Sequence, residues 1–215
     1  FDRALSLAHV MPLLGMGGEL RNEIGPGRNA VPPALYHELA NWEKIAFVYG
    51  PDTLRDAKRM ARLALDPNRM ARLVNVLEME LGHDVAFAVE AAKIAANGDK
   101  AQGVMGLDLV EKGLRPIIWQ PELLAALWPF ASRIQAAATA TVSQAGLEPD
   151  QIGRVVFVGG SSLVAAIDQL MRATFRRARF EYSEVFTAVA DGLALATEQG
   201  QIGMGRHLPE ASRQV

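Results

Sequence analysis

The stretch Arg154-Val155-Val156-Phe157-Val158-Gly159-Gly160-Ser161-Ser162 decides the fold of this chain. Its β-branched and aromatic residues predict a buried strand, and the glycine pair that follows predicts a tight turn. Apolar residues at helical spacing from Leu163 to Met171 predict that a helix follows the turn. Backbone N–H groups at such a junction can bind an anion, and ligands of α/β proteins bind at the carboxyl ends of strands. A turn that only lets the helix pack closely on the sheet is an equally open interpretation.

The segments on both sides of this stretch continue an alternation of helix and strand. Gln120-Pro121 opens a predicted helix that continues to about Ala145, where Gly146 ends it. A short strand is predicted over 178–182, and a last helix with small residues over 185–196. Helix, strand, helix, strand, helix in this order is typical of an α/β fold.

The first part of the chain is predicted to be mostly helical. Residues 1–14 form one predicted helix, and the glycines and prolines of 15–33 predict a loop. Apolar residues have helical spacing over 35–48, Asp52-Thr53 can cap a short helix through Leu65, and a strongly helical pattern continues from Asn68 to about Ala96. Between 35 and 96, Asp66-Pro67 predicts a helix start, and Gly82 predicts a bend or an interruption.

A predicted hairpin ends this helical part, because residues 101–110 and 114–119 have the pattern of two strands joined by Glu111-Lys112-Gly113. The helix-rich part would then lie as an insertion between the first helix and the helix opened by Gln120-Pro121. The predicted organisation has three parts. They are an α/β subdomain over 1–30 and 119–198, an inserted helix-rich subdomain with a β-hairpin over 31–118, and a polar tail over 199–215.

Composition excludes several classes of function. The net charge of −2 argues against a nucleic-acid surface, which needs a basic excess. No apolar run reaches the roughly 18 residues of a membrane span, so we expect no membrane partner. The absence of cysteine excludes disulfides and thiolate metal sites and favours a reducing, cytoplasmic location. Because the chain begins at Phe1 inside a predicted helix, we expect it to be a fragment of a longer protein.

Three polar residues stand out in the long helical stretch. Glu90, Lys93 and Asn97 lie at i, i+3 and i+7 among alanine, valine and isoleucine, so they share one helix face. Such a face can hold the hydroxyls and ring nitrogens of a ligand. From these residues alone, a solvated face with a weak ion pair is the stronger interpretation.

The sequence predicts no catalytic set and no metal site. His37-Glu38 matches the start of a zinc-protease helix, but Asn41 stands where the second histidine would be. Spacing identifies no Ser-His-Asp arrangement and no Walker phosphate loop. The glycine turn and the polar helix face therefore remain the candidate sites.

Several blocks of the chain resemble the nucleotide-binding domain of DnaK-type heat-shock chaperones. Val155 to Ser162, followed later by Ala188 to Ala194, is similar to the end of that domain. Val89 to Lys93 resembles its adenosine-binding helix, and Phe1-Asp2-Arg3 resembles the residues after its second phosphate loop. The blocks occur in family order over residues 1 to 197, and the YegD-like chaperone branch is the most similar. The resemblance implies the actin-like ATPase fold, with this chain as its second lobe.

The resemblance also implies a nucleotide pocket. Glu90 and Lys93 match residues that contact the ribose side of the nucleotide. Gly159, Gly160 and Ser161 match residues that line the adenosine and phosphate edge. The helix face and the glycine turn, about 70 residues apart in sequence, would then face each other across one pocket.

Four positions depart from the family pattern. Ile94 and Leu163 stand where the family usually has two arginines that stack on adenine, while Asn97 and Phe186 replace a serine and an acid. An apolar pair can still hold a base between its side chains, but a cation–π contribution of about 0.5–2 kcal/mol from each arginine is lost. A non-enzymatic interaction module with a decayed nucleotide site is therefore an alternative function.

ATP or ADP with Mg²⁺ is the cofactor that the resemblance implies, with most Mg²⁺ ligands outside this chain. The family's first phosphate loop, catalytic carboxylates and lysine are not matched here, and phosphoryl transfer needs groups on both sides of the phosphates. We therefore expect a parent protein with slow ATPase activity and no meaningful turnover by this chain alone. Another actin-like ATPase, either a sugar kinase or a filament protein, is the rival within the same fold.

The implied partners are the nucleotide, the first lobe of the parent protein and client proteins. In the family, three antiparallel strands would precede Phe1. Without them the strand near Val155 exposes a sheet edge, and such edges invite pairing with another chain. We expect this edge to be covered by a second copy, through self-association, or by a retained upstream segment.

Overall fold

The computed structural model describes residues 1–160, 164–182 and 192–197. The chain divides into two compact units, Phe1–Phe130 and Ala131–Val215. Helices predominate and the sheets are small, which agrees with the mixed α/β composition expected from the sequence. Within the described ranges, no helix combines the length and the hydrophobicity needed to cross a bilayer. The division into subdomains drawn from the sequence stays a prediction.

The first unit begins with a helical stretch that changes type twice. Helix α1 (Asp2–Leu5) is followed directly by a π-helix, Ser6–Val10, and a 3₁₀-helix, Met11–Leu14. Gly15 ends the stretch at φ +105°, a backbone conformation that residues other than glycine rarely adopt. The helix predicted over 1–14 is therefore confirmed in extent.

The loop predicted over 15–33 is wrong in part, because it contains a hairpin. Strand β1 (Glu19–Arg21) pairs antiparallel with β2 (Arg28–Ala30), and Leu20 lies opposite Asn29. Both strands have three residues and are mostly exposed, so they lack the apolar alternation that predicts a strand. An ion pair between Arg28 and Glu19 across the hairpin, 3.0 Å long, adds to the backbone pairing.

Helices fill most of the remaining first unit. They are α2 (Ala34–Leu39), a 3₁₀-helix at Ile45–Val48, α3 (Pro51–Leu63), α4 (Pro67–Glu78) and α5 (Gly82–Asn97). The helix start predicted at Asp66-Pro67 is confirmed, since the Asp66 carboxylate accepts a hydrogen bond of 3.2 Å from the Arg69 N–H. The interruption predicted at Gly82 is confirmed too, because the chain turns over residues 79–81 and Gly82 begins α5.

Gly82 also fixes where α5 begins in space. A Cβ there would lie 2.5 Å from the Tyr49 hydroxyl oxygen and 2.6 Å from the Ile45 side chain, so only glycine fits. The Gly82 N–H donates a hydrogen bond of 2.7 Å to that hydroxyl. One of the backbone donors left free at the start of a helix is thereby satisfied.

The second predicted hairpin is confirmed, with shorter strands than expected. Strand β3 (Gln102–Val104) pairs antiparallel with β4 (Ile117–Trp119), and Gly103 lies opposite Ile118. Residues 105–107 and 114–116 are irregular, although the Met105 and Leu107 N–H groups still donate to the Pro116 and Leu114 carbonyls, and turns connect them over 108–113. Arg72 on α4 holds this connection through an ion pair to Glu111, 2.7 Å long.

The second unit contains a small parallel sheet. The helix α6 (Gln120–Gln144) leads from the first unit into the second, and a 3₁₀-helix, Pro149–Gln151, follows it. Strand β5 (Arg154–Phe157), helix α7 (Ala165–Thr174) and strand β6 (Arg179–Tyr182) come next. Strands β5 and β6 pair in parallel, with Phe157 opposite Tyr182, so the predicted strand–helix–strand order is confirmed. Residues 192–197 are helical, and the rest of the last predicted helix lies outside the described residues.

A polar network fastens α7 to β6. The Arg172 guanidinium and the Tyr182 hydroxyl both donate hydrogen bonds to the Asp168 carboxylate, and Arg172 also donates to the Tyr182 hydroxyl oxygen. Partial burial acts to raise the pKa of Asp168, but these hydrogen bonds outweigh it and hold the pKa below its ordinary value. The ionised Asp168 carboxylate on α7 therefore accepts a hydrogen bond from Tyr182 on β6 and links the helix to the strand.

Candidate functional site

Helix α5 presents the polar face predicted from the sequence. It is continuous over Glu90, Lys93 and Asn97, so the three residues follow one side of the helix. Glu90 is exposed, while Lys93 and Asn97 are half-buried. Ile94, which stands where the resemblance expects an arginine, is 63% exposed. This surface therefore combines one free-standing carboxylate with an apolar neighbour.

Lys93 contacts the first helix of the chain. Its ammonium group lies 2.7 Å from Asp2 Oδ1, and only 14% of the Lys93 side chain is exposed. That carboxylate oxygen is buried without hydrogen-bond geometry to any described donor, so the positive charge of Lys93 balances it. The ion pair joins two of the sequence blocks that resemble the chaperone family, and sequence reasoning did not pair them.

A cavity of about 420 Å³ adjoins Glu90. Three segments of the first unit enclose this α1–α5 cavity: the start of the chain, the end of α2 with the residues after it, and the first half of α5. The segments contribute Phe1–Arg3 with Ser6, Leu39–Trp42, and Val85–Phe87 with Val89 and Glu90. Its volume is that of a typical small-molecule pocket, and Asp2 and Glu90 supply carboxylates to its lining.

A larger groove of about 690 Å³ lies beside the first hairpin. Its lining includes Leu20 and Ile24 from the hairpin and Arg59 and Met60 from α3. Arg59 is held by a two-pronged ion pair to Glu23. None of the residues predicted from the sequence as a site lines this groove. The larger volume of the groove is therefore no reason to prefer it to the α1–α5 cavity as the candidate site.

The glycine turn follows strand β5 in the second unit. Gly159 has φ +82°, and a Cβ built on it would meet nothing within 4 Å among the described residues. The turn thus requires glycine for its backbone conformation, and none of the described residues fills the space beside Gly159 near the carboxyl end of β5. Ligands of parallel sheets bind at this end of the strands.

The predicted site residues fall into two groups. Glu90, Lys93 and Asn97 belong to the first unit, and Gly159 and Gly160 to the second. Ser161 and Leu163 lie outside the described residues, as does Phe186. The prediction that the helix face and the glycine turn share one pocket stays a prediction.

Within the described ranges, no three His, Asp or Glu side chains come close enough together to hold a metal ion. His37-Glu38 is no exception, since Glu38 pairs instead with Lys44 at 3.8 Å. No family model matches this chain.

Little in the sequence indicates that Trp42 and Phe87 line a cavity. Trp42 follows α2, and its ring centroid lies 5.2 Å from that of Phe87 on α5. Both large aromatic residues are more than half exposed, at 52% and 57%. A tryptophan next to polar Asn41 and Glu43 reads from the sequence as a surface residue, and only the packing of α2 against α5 reveals the cavity beside it.

Proposed function

We propose that this chain is the nucleotide-binding lobe of a DnaK-like molecular chaperone with the actin-like ATPase fold. One observation supports the proposal most: Gly159 stands in a left-handed conformation directly beyond β5, in a parallel β5–α7–β6 unit. This is where α/β proteins bind phosphorylated ligands, because the backbone comes close to the ligand and points N–H groups at it. Gly159 and Gly160, the first two residues of the motif that resembles the chaperone family, follow β5 here, and Ser161 lies outside the described residues.

The α5 residues would supply the ribose side. Glu90 is exposed and can accept hydrogen bonds from two sugar hydroxyls, a geometry that carboxylates favour. Lys93 would act through Asp2, because their ion pair holds the start of α1 against α5. The adenosine and phosphate edge would be formed by Gly159, Gly160 and Ser161, as the resemblance implies.

ATP or ADP with Mg²⁺ would be the ligand, and binding rather than hydrolysis is the proposed activity of this chain. The described residues bring no three acidic or histidine side chains together as a metal site. By the resemblance, most of the groups that hold Mg²⁺ would lie outside this chain. The parent protein would couple slow hydrolysis to closure of its two lobes.

Calorimetric titration with MgATP and MgADP tests the proposal, and Glu90→Gln is the informative variant. Glu90 is exposed, so its replacement leaves folding intact, whereas replacing Lys93 strips the buried Asp2 oxygen of its counter-charge. A hydrogen bond to a charged group contributes about 1.5–3 kcal/mol, so we expect Glu90→Gln to weaken binding about tenfold or more.

Glu43→Gln is the matched control, because Glu43 is also exposed and does not line the α1–α5 cavity. We expect its affinity to stay within twofold of that of the original chain. If the unaltered chain binds neither nucleotide, the proposal is refuted. The interaction module would then be favoured, and the 63% exposure of Ile94 on the same helix face agrees with a protein contact there.

A further inference from the structure

Strands β5 and β6 each begin with an arginine, and the two arginines lie directly opposite each other. Arg154 and Arg179 are register partners in the parallel sheet, so their side chains leave it on the same face. Both residues are exposed. Like charges opposite each other on neighbouring strands repel, so this juxtaposition does not help the sheet to form.

The connection before β6 adds two more guanidiniums. Arg176 and Arg177 are both exposed. The Arg179 N–H donates a hydrogen bond of 3.0 Å to the Gly153 carbonyl, which places the end of this connection beside the start of β5. Arg154, Arg176, Arg177 and Arg179 together form what we call the basic cluster.

The basic cluster contains more guanidiniums than its neighbourhood contains carboxylates. Arg154 pairs with Glu181 at 3.2 Å, and Arg177 pairs with Asp150 at 3.7 Å. The other two members of the cluster form no ion pair with any residue that the structure describes. Since the Arg154 and Arg177 side chains are 65% and 74% exposed, their ion pairs are weak, and carboxylates of another molecule can compete for them.

The basic cluster lies away from the glycine turn. Both strands of the sheet run in the same direction, so the cluster marks their amino ends, whereas Gly159 follows the carboxyl end of β5. The four residues of β5 span about 10 Å between them. A ligand of the basic cluster would therefore bind apart from the nucleotide proposed for the glycine turn.

An exposed valine continues the face that carries the basic cluster. Val156 follows Arg154 by two positions, so it lies on the same side of β5, and it is 51% exposed. The aromatic residues of the two strands lie on the other face, where Phe157 stacks on Tyr182 at a centroid distance of 5.0 Å. The face of the cluster thus combines positive charge with aliphatic surface, and no ring of β5 or β6 is available there for stacking of a nucleic-acid base.

We propose that the basic cluster binds an acidic segment of a partner protein, whose carboxylates pair with Arg154 and Arg179 while an apolar side chain covers Val156. Guanidinium groups bind carboxylates through two parallel hydrogen bonds, so arginine is suited to this contact. Neighbouring strands are about 4.8 Å apart, close to the roughly 5–6 Å between side chains on successive turns of a helix. Two acidic residues one helical turn apart therefore match the two arginines. This inference goes beyond the proposed nucleotide binding and does not depend on it.

Fluorescence anisotropy with the full chain tests the inference. The probe is a fluorescein-labelled peptide of Glu-Glu-Leu repeats, titrated at low ionic strength, where exposed charges are screened least. The test variant is Arg154→Gln, Arg179→Gln. Its matched control, Arg21→Gln, Arg62→Gln, makes the same change in net charge at two exposed arginines of the first unit. Because hydrogen bonds to charged groups contribute about tenfold or more in affinity, the test variant should bind the peptide at least tenfold more weakly, and the control less than twofold.

Three results would overturn the inference. The first is an unaltered chain that does not bind the peptide. The second is equal weakening in the test variant and its control, since net charge alone would then explain the binding. The third is binding of oligouridine that depends on Arg154 and Arg179 without binding of the peptide, which would favour a nucleic acid. The inference and the proposed function fail independently, because a chain that binds the peptide but not MgATP refutes only nucleotide binding.

A second variant covers the case in which Arg154→Gln, Arg179→Gln does not fold. Arg176→Gln, Arg177→Gln changes only the connection before β6, outside the paired residues of the sheet. It should weaken peptide binding about threefold or more, a smaller effect because single exposed ion pairs are weak. An unchanged affinity for the peptide in this variant overturns the inference.

Discussion

Gly103→Ala should strongly destabilise the first unit. Gly103 lies in β3, where its backbone packs directly on α5. A Cβ at this position would lie 1.9 Å from the Ala92 carbonyl oxygen and 2.6 Å from the Ala92 carbonyl carbon, whereas ordinary van der Waals contact begins at 3.4 Å. The clash is with backbone atoms of a helix, so no side-chain rotation can relieve it. Strand β3 and α5 must separate.

The magnitude follows from two opposing terms. Overpacking in a well-packed core costs about 1–3 kcal/mol and occasionally more. We expect the upper end, because the atoms that clash belong to two backbones. Replacing glycine by alanine restricts the unfolded chain and returns about 0.4–1 kcal/mol. The net loss in free energy of unfolding should be about 2 kcal/mol or more.

Urea unfolding followed by tryptophan fluorescence measures this loss. Trp42, Trp119 and Trp128 are the only tryptophans of the chain, and all lie in the first unit, so their emission reports on that unit. Gly106→Ala is the control, because a Cβ at Gly106 meets nothing within 4 Å among the described residues. A Gly103→Ala variant within 0.5 kcal/mol of this control would refute the packing of β3 on α5.

The same substitution has a consequence for function. Ala92 lies between Glu90 and Lys93 on α5, so pushing its backbone aside displaces both side chains. Under the proposed function, Gly103→Ala should weaken MgATP binding even at temperatures where the protein remains folded. Gly106→Ala should leave the affinity unchanged.

Three further predictions concern single interactions. Asp66→Ala removes the hydrogen bond that the carboxylate accepts from Arg69 N–H and should lower the free energy of unfolding by about 1 kcal/mol in urea titrations; no change would contradict this cap. Tyr49→Phe removes the acceptor for the Gly82 N–H and should also lower the free energy of unfolding by about 1 kcal/mol. Hydrogen exchange of the Gly82 amide checks the bond, and slower exchange in the variant would contradict it. The lowered pKa of Asp168 means that its carboxylate stabilises the fold above about pH 4, and that this contribution is lost as pH falls through the lowered pKa. Circular dichroism should therefore show a smaller loss of stability between pH 5 and pH 2 in Asp168→Asn, and an unchanged pH profile would contradict the network.

Much of the local structure could be predicted from the sequence, since its causes are local. Asp66-Pro67 marks the start of α4, and Gly146, at φ +70°, follows the end of α6, as their caps predict. The β-branched run before Gly159 predicts β5. The first hairpin was missed because its strands are short, polar and exposed, so no periodicity marks them.

Only part of the candidate site could be predicted from the sequence. The spacing of Glu90 and Lys93 predicts a shared helix face, because 3.6 residues per turn is a property of the helix itself. The partner of Lys93 is Asp2, 91 positions earlier, and no local rule connects the two. The Trp42–Phe87 wall likewise requires α2 to meet α5.

By itself, the sequence determined where the chain forms its helices and the strands β5 and β6, and which residues share a helix face. Backbone geometry and capping decide these features, and both act over only a few positions. Tertiary structure decided why Gly82 and Gly103 must be glycine, what balances the charge of Asp2, and that a cavity adjoins Glu90. These features depend on atoms that are distant in sequence and become neighbours only when the elements pack. Their energies arise from volume exclusion, desolvation and charge balance, which act between elements rather than along the chain.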